Sequence, residues 1–290
     1  MNRMFRSLAV CLILGIGVGL VVSPLTLAQQ YCISQDFTRN IQAIASRVQR
    51  IDTDDYDLYK ERTVEHIIVI PLIKVLGYDD MNPEEVRLQY TISNVDNDDD
   101  GNDDKGYPDI VVFKKDDKNK KAKPFMIFEC KRLNTGTSTS EFVESREQLS
   151  NYLRGTQAPV GVLTNGRIYR FYLYRKEKCT MDTTPFLEID FEDIGQRGNN
   201  IIPMLWPFRK ASSFDTDKIQ ERATKLLEVK AEVKSYLAKQ FDSPTKEFLQ
   251  CIYAQALKEH AKEAGEANAE AMFFLIRQAL YEIAKEFHVQ

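Results

Sequence analysis

Three charged side chains stand at the ends of two apolar runs in this chain. Asp109 comes directly before the run 110–113, whereas Glu129 and Lys131 close the run 125–128. If both runs are strands and the strands are neighbours, two carboxylates and one amine meet at one place. Magnesium prefers one or two carboxylates together with waters and phosphate oxygens. The pattern therefore predicts metal-assisted hydrolysis of a phosphodiester.

Alternation along a strand assigns these residues to faces of the sheet. Glu129 and Lys131 project from one face, and Cys130 points the opposite way, into the core. Asp109 and Glu129 are candidate ligands of Mg²⁺, or of Mn²⁺ in its place, and the backbone carbonyl of Cys130 is a candidate third ligand. The ammonium of Lys131 could orient the attacking water and neutralise charge in the transition state. The alternative is that Glu129 and Lys131 are a solvated Glu-x-Lys pair. The run 125–128, however, is apolar enough to be a strand buried on both faces. Charged residues are rarely buried, so charges at the end of such a strand favour a functional role.

The surrounding pattern predicts a mixed α/β core that positions these residues. Apolar residues recur at helical spacing in two early segments, with a kink or break at Pro71 and a stop at Gly77. Alternating and continuous apolar runs predict strands on both sides of a central helix, and Asn165-Gly166 marks a tight turn. The predicted helices cover 37–48, 57–76 and 140–154, and the predicted strands cover 86–92, 107–113, 125–131, 159–163, 167–174 and, at an edge, 186–191. A boundary rich in Pro, Gly and Asn is expected between Gln196 and Asp215, ahead of a helical tail.

These motifs resemble a known nuclease superfamily. Pro108-Asp109 followed by Glu129-Cys130-Lys131 looks like the PD-(D/E)xK signature. Over about 56–174 the chain resembles the N-terminal nuclease domain of type I restriction enzyme R subunits, and the tail resembles predicted stand-alone restriction endonucleases that share this domain. The residues that carry the resemblance are 65–78, 83–87 with Tyr90, Gln148 and Tyr152 in a Gln-x-x-x-Tyr motif, 161–166, and Ser243-Pro244.

The resemblance implies a fold and a function. The fold is an α/β restriction-endonuclease-like mixed sheet flanked by helices over 29–195, followed by a helical C-terminal region over 215–290. The function is that of a metal-dependent DNA endonuclease, with Asp109 and Glu129 as metal ligands and Lys131 as the catalytic amine. Because cutting both DNA strands calls for two active sites, a homodimer is a further hypothesis.

The resemblance also implies supporting roles for three residues. Glu65 would be an acidic helper on the early helix, with a solvated helical glutamate as the alternative. Gln148 and Tyr152 would position DNA or the metal site. A non-catalytic nucleic-acid-binding or interaction protein on a nuclease-like scaffold is the alternative function.

Residues 1–28 have the pattern of an export signal. Arg3 and Arg6 precede the apolar stretch 7–22, and the small residues around Ala28 suit cleavage. We therefore expect an exported protein, periplasmic or secreted. An uncleaved segment would instead anchor it in a membrane, and a mis-called start codon would place it in the cytoplasm, where the family acts on DNA.

Composition and the remaining motifs narrow the alternatives. The net charge of −4 excludes a protein that coats DNA through an overall positive charge. A local cationic groove can still steer DNA to a site on such a protein. Lysines between 114 and 123 are candidate phosphate contacts, or a soluble hairpin tip. The acidic run 96–101 imitates an EF-hand, but its twelfth position is Tyr107 rather than Glu, which favours a solvated loop over calcium binding. Beyond the leader, Cys32, Cys130, Cys179 and Cys251 are expected to be small buried residues rather than zinc ligands, and sequence cannot pair them in disulfides.

Overall fold

The computed structural model describes most of the chain between residues 35 and 249. The described residues are 35–51, 60–92, 105–115, 121–136, 139–197, 199–212, 216–245 and 247–249. The predicted export signal, most of the acidic loop, the tip of the lysine hairpin and most of the predicted helical tail lie outside them, so the predictions for those segments stay predictions. The described residues fall into two compact units, one ending at Leu227 and the other beginning at Glu228.

A seven-stranded mixed sheet forms the centre of the first unit, which confirms the predicted α/β fold. The strands follow the order β1-β2-β3-β4-β5-β6, and β7 pairs with β5. All neighbours are antiparallel except β3 and β4, which are parallel and therefore need a crossover between them. Of these strands only β6, two residues long, was not predicted. The strands are β1 Val86–Leu88, β2 Ile110–Lys115, β3 Ala122–Cys130, β4 Val160–Thr164, β5 Ile168–Arg175, β6 Thr180–Met181 and β7 Leu187–Asp190.

Helices cover the two faces of this sheet. Three consecutive segments form what we call the composite helix: α2, a π-helical turn, and α3. None of the helices among the described residues has the length and apolar character needed to cross a membrane. The helical segments are α1 Gln35–Arg50, α2 Glu61–Val64, the π turn Glu65–Val69, α3 Ile70–Val75, α4 Ser140–Thr156, α5 Phe191–Arg197, α6 Thr216–Asp242, and 3₁₀ segments Lys176–Lys178 and Asn199–Phe208.

The composite helix changes its winding immediately before Pro71. Proline has no N–H for the helical ladder, and here it stands in the first turn of α3, directly after the π turn. The predicted break is thus a local change of winding rather than an end. Gly77, with φ at +94°, terminates the helix as predicted. The π turn contains Glu65, and such turns occur frequently at functional sites.

Both faces of the sheet are buried, because successive residues of β2 and β3 point to opposite sides. Ile110, Phe128 and Cys130 belong to the core beneath α1 and the composite helix. Val111 and Ile127 belong to the core beneath α4. The continuous apolar run of β3 is therefore buried on both faces, as predicted. The helix α4 is the crossover that joins β3 to β4.

The stretch expected to be a boundary contributes to the core. Ile202, Leu205 and Phe208 of the 3₁₀ segment are buried, and the Phe208 ring stacks on Phe171 with centroids 4.7 Å apart. Their three-residue spacing is the 3₁₀ period, a signal that the prolines and glycine of this stretch mask. In the second unit, Phe248 is buried in a short helical segment, where the N–H of Phe248 donates to the hydroxyl of Thr245.

The cysteine prediction is right for one described cysteine and wrong for the other. Cys130 is a fully buried free thiol. Cys179 is free but exposed. It ends a 3₁₀ turn in the left-handed conformation, with φ at +50°, so turn geometry and not core packing determines its place.

Candidate active site

Asp109 and Glu129 lie opposite each other at one end of the β2–β3 pair. The register pairs Ile110 with Phe128, so the next pair outward is Asp109 with Glu129. The backbone N–H of Cys130 donates a hydrogen bond to Oδ2 of Asp109 over 2.7 Å. The predicted meeting of the two carboxylates is therefore present in the structure.

Lys131 completes the predicted cluster. Its Nζ lies 2.9 Å from Oε1 of Glu129, so both side chains share one face as alternation requires. The side chain is only 11% exposed, and the backbone N–H donates to the carbonyl of Thr164 over 2.7 Å. Burial alone would lower the pKa of Lys131, but the charge and hydrogen bond of Glu129, together with the charges of Glu61 and Asp109, outweigh burial and raise it. The amine is therefore an ammonium at neutral pH.

Glu65 reaches the same place from the π turn of the composite helix. It is 2% exposed, and in the described part of the chain its Oε2 has no hydrogen-bond partner. The nearest cation is Arg62, with NH1 3.9 Å from that oxygen. Burial and then the charge of Asp109 raise the pKa of Glu65 to about 7. The solvated-glutamate alternative is therefore wrong for Glu65.

Three carboxylates thus share one poorly solvated site. Burial and the charge of Asp109 also raise the pKa of Glu129 to about 7, with Lys131 opposing the shift. Burial raises the pKa of Asp109, partly offset by the hydrogen bond from Cys130 and the charge of Lys131. Raised carboxylate pKa values mean that full ionisation of the site is costly without an added cation.

Gln148 and Tyr152 lie one turn apart on α4 and are hydrogen-bonded to each other. Nε2 of Gln148 donates to the hydroxyl of Tyr152. Burial and then the Glu129 charge raise the pKa of Tyr152, while hydrogen bonds from Gln148 and the backbone of Tyr107 lower it. The buried tyrosine therefore links α4 to the segment that carries Asp109, and Gln148 is exposed.

Sequence reasoning missed Glu61. Its Oε1 lies 3.6 Å from Nζ of Lys131, and its side chain is partly exposed. Glu61 precedes Glu65 by four residues, and side chains at that spacing share one face of a helix. This spacing was the signal that could have identified it.

The turn 164–166 supports the site rather than entering it. The Asn165 side chain donates to the carbonyl of Thr135 over 3.0 Å and accepts from the N–H of Ile168 over 2.8 Å. It thereby ties the segment after Lys131 to the turn between β4 and β5. Gly166 has φ at +84° and lies directly against the composite helix.

The described lysines of the hairpin lie away from the carboxylates. β2 runs from the site to Lys115, which places Lys115 about 20 Å away at about 3.3 Å per residue. Lys114 donates to the carbonyl of Ser212 over 2.9 Å, and Lys115 pairs with Glu84 at 3.1 Å. Their role as phosphate contacts stays a prediction.

The residues present suit magnesium better than a metal that needs a full protein cage. Nowhere in the described ranges do three or more His, Cys, Asp or Glu side chains form a group able to hold a metal ion. Magnesium needs only one or two carboxylates besides water and phosphate oxygens, and Asp109 with Glu129 meet that need. The carbonyl of Cys130 as a third ligand stays a prediction.

Comparison with known proteins agrees with this geometry. Residues 60–187 match a family described as type I restriction enzyme R protein N terminus. No curated protein and no solved structure matches the chain. The matched segment contains every predicted site residue from Glu65 to Tyr152, and the match indicates a restriction-type nuclease that interacts with DNA. Residues 60–187 are therefore a restriction-endonuclease-like domain that matches the type I restriction enzyme R protein N-terminal family.

Proposed function

We propose that this domain is a metal-dependent endonuclease that hydrolyses phosphodiester bonds in DNA. The observation that carries the proposal is the cluster of Asp109, Glu129 and Lys131 at one end of the β2–β3 pair, with Glu65 in the same buried place. Three carboxylates with raised pKa values in one place are typical of a functional site rather than of a surface ion pair. The family match supports DNA as the substrate, because the matched family is described as part of a restriction enzyme.

Asp109 and Glu129, with the carbonyl of Cys130, would hold Mg²⁺ or Mn²⁺. A bound ion of this kind supplies charge neutralisation for the phosphate, a lower pKa for water and stabilisation of the leaving oxygen. The raised pKa values of the carboxylates support the fit, because a divalent cation offsets both their burial and their mutual repulsion.

Lys131 stabilises negative charge rather than removing a proton. The ion pair with Glu129 keeps the amine protonated, and a protonated amine can only donate. An ammonium held at a fixed place in a poorly solvated site stabilises the charge that develops on the phosphate. Glu61, at 3.6 Å, helps to hold that ammonium in place.

Glu65, Gln148 and Tyr152 have supporting roles. Glu65 adds negative charge beside Asp109 and thereby strengthens the attraction for a divalent cation. Tyr152 holds α4 against the segment that carries Asp109, and the exposed amide of Gln148 is available to DNA.

Plasmid cleavage tests the proposal. We expect the purified protein to nick supercoiled DNA with Mg²⁺ or Mn²⁺ and to lose this activity in EDTA. Asp109→Asn and Lys131→Met should each reduce the rate by about 100-fold or more. Lys176→Met is the matched control, because Lys176 is an exposed lysine directly after β5, at the end of that strand remote from the site.

Two outcomes would contradict the proposal. One is folded Asp109→Asn and Lys131→Met variants that cleave as fast as the wild type. The other is a protein that binds DNA but fails to cleave it whichever divalent ion is added, which would favour the non-catalytic nucleic-acid-binding alternative. Sedimentation of the protein with and without DNA tests the homodimer hypothesis.

Export of the protein is a separate proposal that rests only on the leader. We expect the mature chain to begin at Gln29, and N-terminal sequencing of the protein from its natural host tests this. A chain that retains residues 1–28 in the membrane fraction would support the anchor alternative, and one retained in the cytoplasm would contradict export.

A further inference from the structure

Gln89 occupies a position in line with the two candidate metal ligands. The β1–β2 register pairs Leu88 with Ile110, which places Gln89 opposite Asp109. Asp109 in turn lies opposite Glu129. Because neighbouring strands are about 4.8 Å apart, the Gln89 backbone lies within about 5 Å of the Asp109 backbone. β1 is the end strand in the sheet order, so Gln89 continues the row of site residues to the edge of the sheet.

Gln89 is held in a backbone conformation that favours glycine. Its φ is +48°, in the left-handed region that L-residues with a Cβ rarely adopt. The β1 ladder stops at Leu88, and pairing resumes only at the bridge between Ile92 and Gly106. The backbone N–H of Gln89 donates to the carbonyl of Asp109 over 3.0 Å. The unusual conformation is therefore coupled to the segment that presents Asp109.

A second glutamine in the same conformation shows what such a side chain does when its role is structural. Gln157 caps α4 with φ at +60°. Its Nε2 donates to the carbonyl of Arg154 over 2.8 Å and to the hydroxyl of Tyr174 over 3.2 Å. The Gln89 side chain is exposed, and no described residue makes a hydrogen bond to its amide. Within the described part of the chain, only the backbone N–H of Gln89 is hydrogen-bonded, and its side-chain amide has no structural role like that of Gln157.

The chemistry of an amide suits this position beside the carboxylates. An arginine or lysine at residue 89 would pair with Asp109 and compete with a metal ion. A neutral amide N–H donates a hydrogen bond to a phosphate oxygen without neutralising the carboxylates, and glutamine is among the residues that contact DNA phosphates.

We propose that the Gln89 side chain binds the DNA backbone at a phosphate next to the one that is cleaved, an inference that rests on the proposed endonuclease function. Gln89 is then a substrate-binding residue at the sheet edge, and its left-handed backbone directs the amide toward the DNA strand as the strand leaves the site. It makes no contact with the reacting phosphate.

Replacing Gln89 by glycine separates this role from a structural one. Glycine removes the amide and relieves the backbone conformation, so Gln89→Gly should be at least as stable as the wild type. We expect its Kd for a DNA duplex, measured by fluorescence anisotropy in EDTA, to rise about three- to tenfold. In Mg²⁺ the KM for cleavage should rise by a similar factor while kcat stays unchanged, because binding of ground state and transition state is lost equally.

Gln157→Gly is the matched control. It changes the same residue type in the same backbone region, but it lies before β4, at the end of that strand remote from the site. Its Kd and KM for DNA should equal those of the wild type.

The outcomes distinguish this inference from the proposed function. If the wild type binds and cleaves DNA and Gln89→Gly does so with unchanged Kd and KM, the role of Gln89 is refuted and the endonuclease stands. If the wild type neither binds nor cleaves DNA, the endonuclease proposal fails, and the inference about Gln89 fails with it.

Discussion

Replacing Glu65 by glutamine should stabilise the metal-free protein, although it should impair the proposed activity. The Glu65 carboxylate is 2% exposed, its Oε2 has no hydrogen-bond partner in the described part of the chain, and Asp109 repels its charge. Glutamine keeps the shape of the side chain and removes the charge. Functional sites commonly carry such destabilising groups.

The magnitude follows from the pKa of Glu65. In the folded protein it is raised from 4.5 to about 7. The folded state therefore binds more protons than the unfolded state between these two values, so stability falls as pH rises through that window. At about 1.36 kcal/mol per pKa unit, the ionised carboxylate costs about 3 kcal/mol at pH 8 and about 1 kcal/mol at pH 5. Glutamine does not titrate, so the stability difference between the variant and the wild type should be about 2 kcal/mol larger at pH 8 than at pH 5.

Urea unfolding followed by circular dichroism measures this difference. Wild type and Glu65→Gln are compared at pH 5 and pH 8 in EDTA, so that no metal ion offsets the charge. Glu84→Gln is the control, because Glu84 is an exposed glutamate outside the site, and its unfolding curves should follow those of the wild type at both pH values. Adding Mg²⁺ at pH 8 should stabilise the wild type more than Glu65→Gln, since a ligand that binds only the folded state stabilises it by an amount that grows with the logarithm of its affinity.

The prediction would be refuted if the free energy of unfolding of the wild type and of Glu65→Gln depended on pH in the same way. If the difference between Glu65→Gln and the wild type is the same at pH 5 and pH 8, the Glu65 carboxylate is not held in a buried and repulsive environment. The proposed grouping of three carboxylates would then be wrong for Glu65, whatever the cleavage assay shows.

Two further substitutions test the supports of the site. Gly166→Ala should lower the free energy of unfolding, measured in urea, by about 2 to 4 kcal/mol. The reason is that φ of Gly166 is +84° and an added Cβ would lie 2.7 Å from Val64 and 2.9 Å from Ile68. Unchanged stability of this variant would contradict the packing of the turn against the composite helix. Tyr152→Phe removes the hydroxyl that Gln148 contacts, and should cost about 1 kcal/mol of stability and reduce plasmid cleavage about tenfold. A Tyr152→Phe variant with wild-type cleavage would limit that tyrosine to packing.

Most of the fold was predictable from local pattern. Short stretches of residues determine the alternating faces of β2 and β3, the apolar spacing of α1 and the end of the composite helix at Gly77. The 3₁₀ segment that packs Phe208 against Phe171 was not predicted, because its two prolines and the glycine before it outweigh a short three-residue period. The exposed Cys179 was also missed, since the conformation of one turn decides its exposure.

The candidate site was predictable in part, because β2 and β3 are adjacent in the chain as well as in the sheet. Asp109, Glu129 and Lys131 needed only strand alternation and one antiparallel register. Resemblance added Glu65, Gln148 and Tyr152, but their contacts with the site depend on helices packed against two different faces of the sheet. Glu61 was missed although its spacing from Glu65 is helical, since nothing local shows where that helix face points.

The sequence by itself determined which groups can do chemistry here: two carboxylates and an amine at strand ends, on one face, beside an apolar run. Only the tertiary structure decided that Glu65 joins them in a buried place, that Gln89 stands in line with them at the sheet edge, and that Lys115 lies about 20 Å away. The physical reason is that alternation and register follow from the local backbone, whereas burial, repulsion between carboxylates and a strained turn arise only when distant segments pack together.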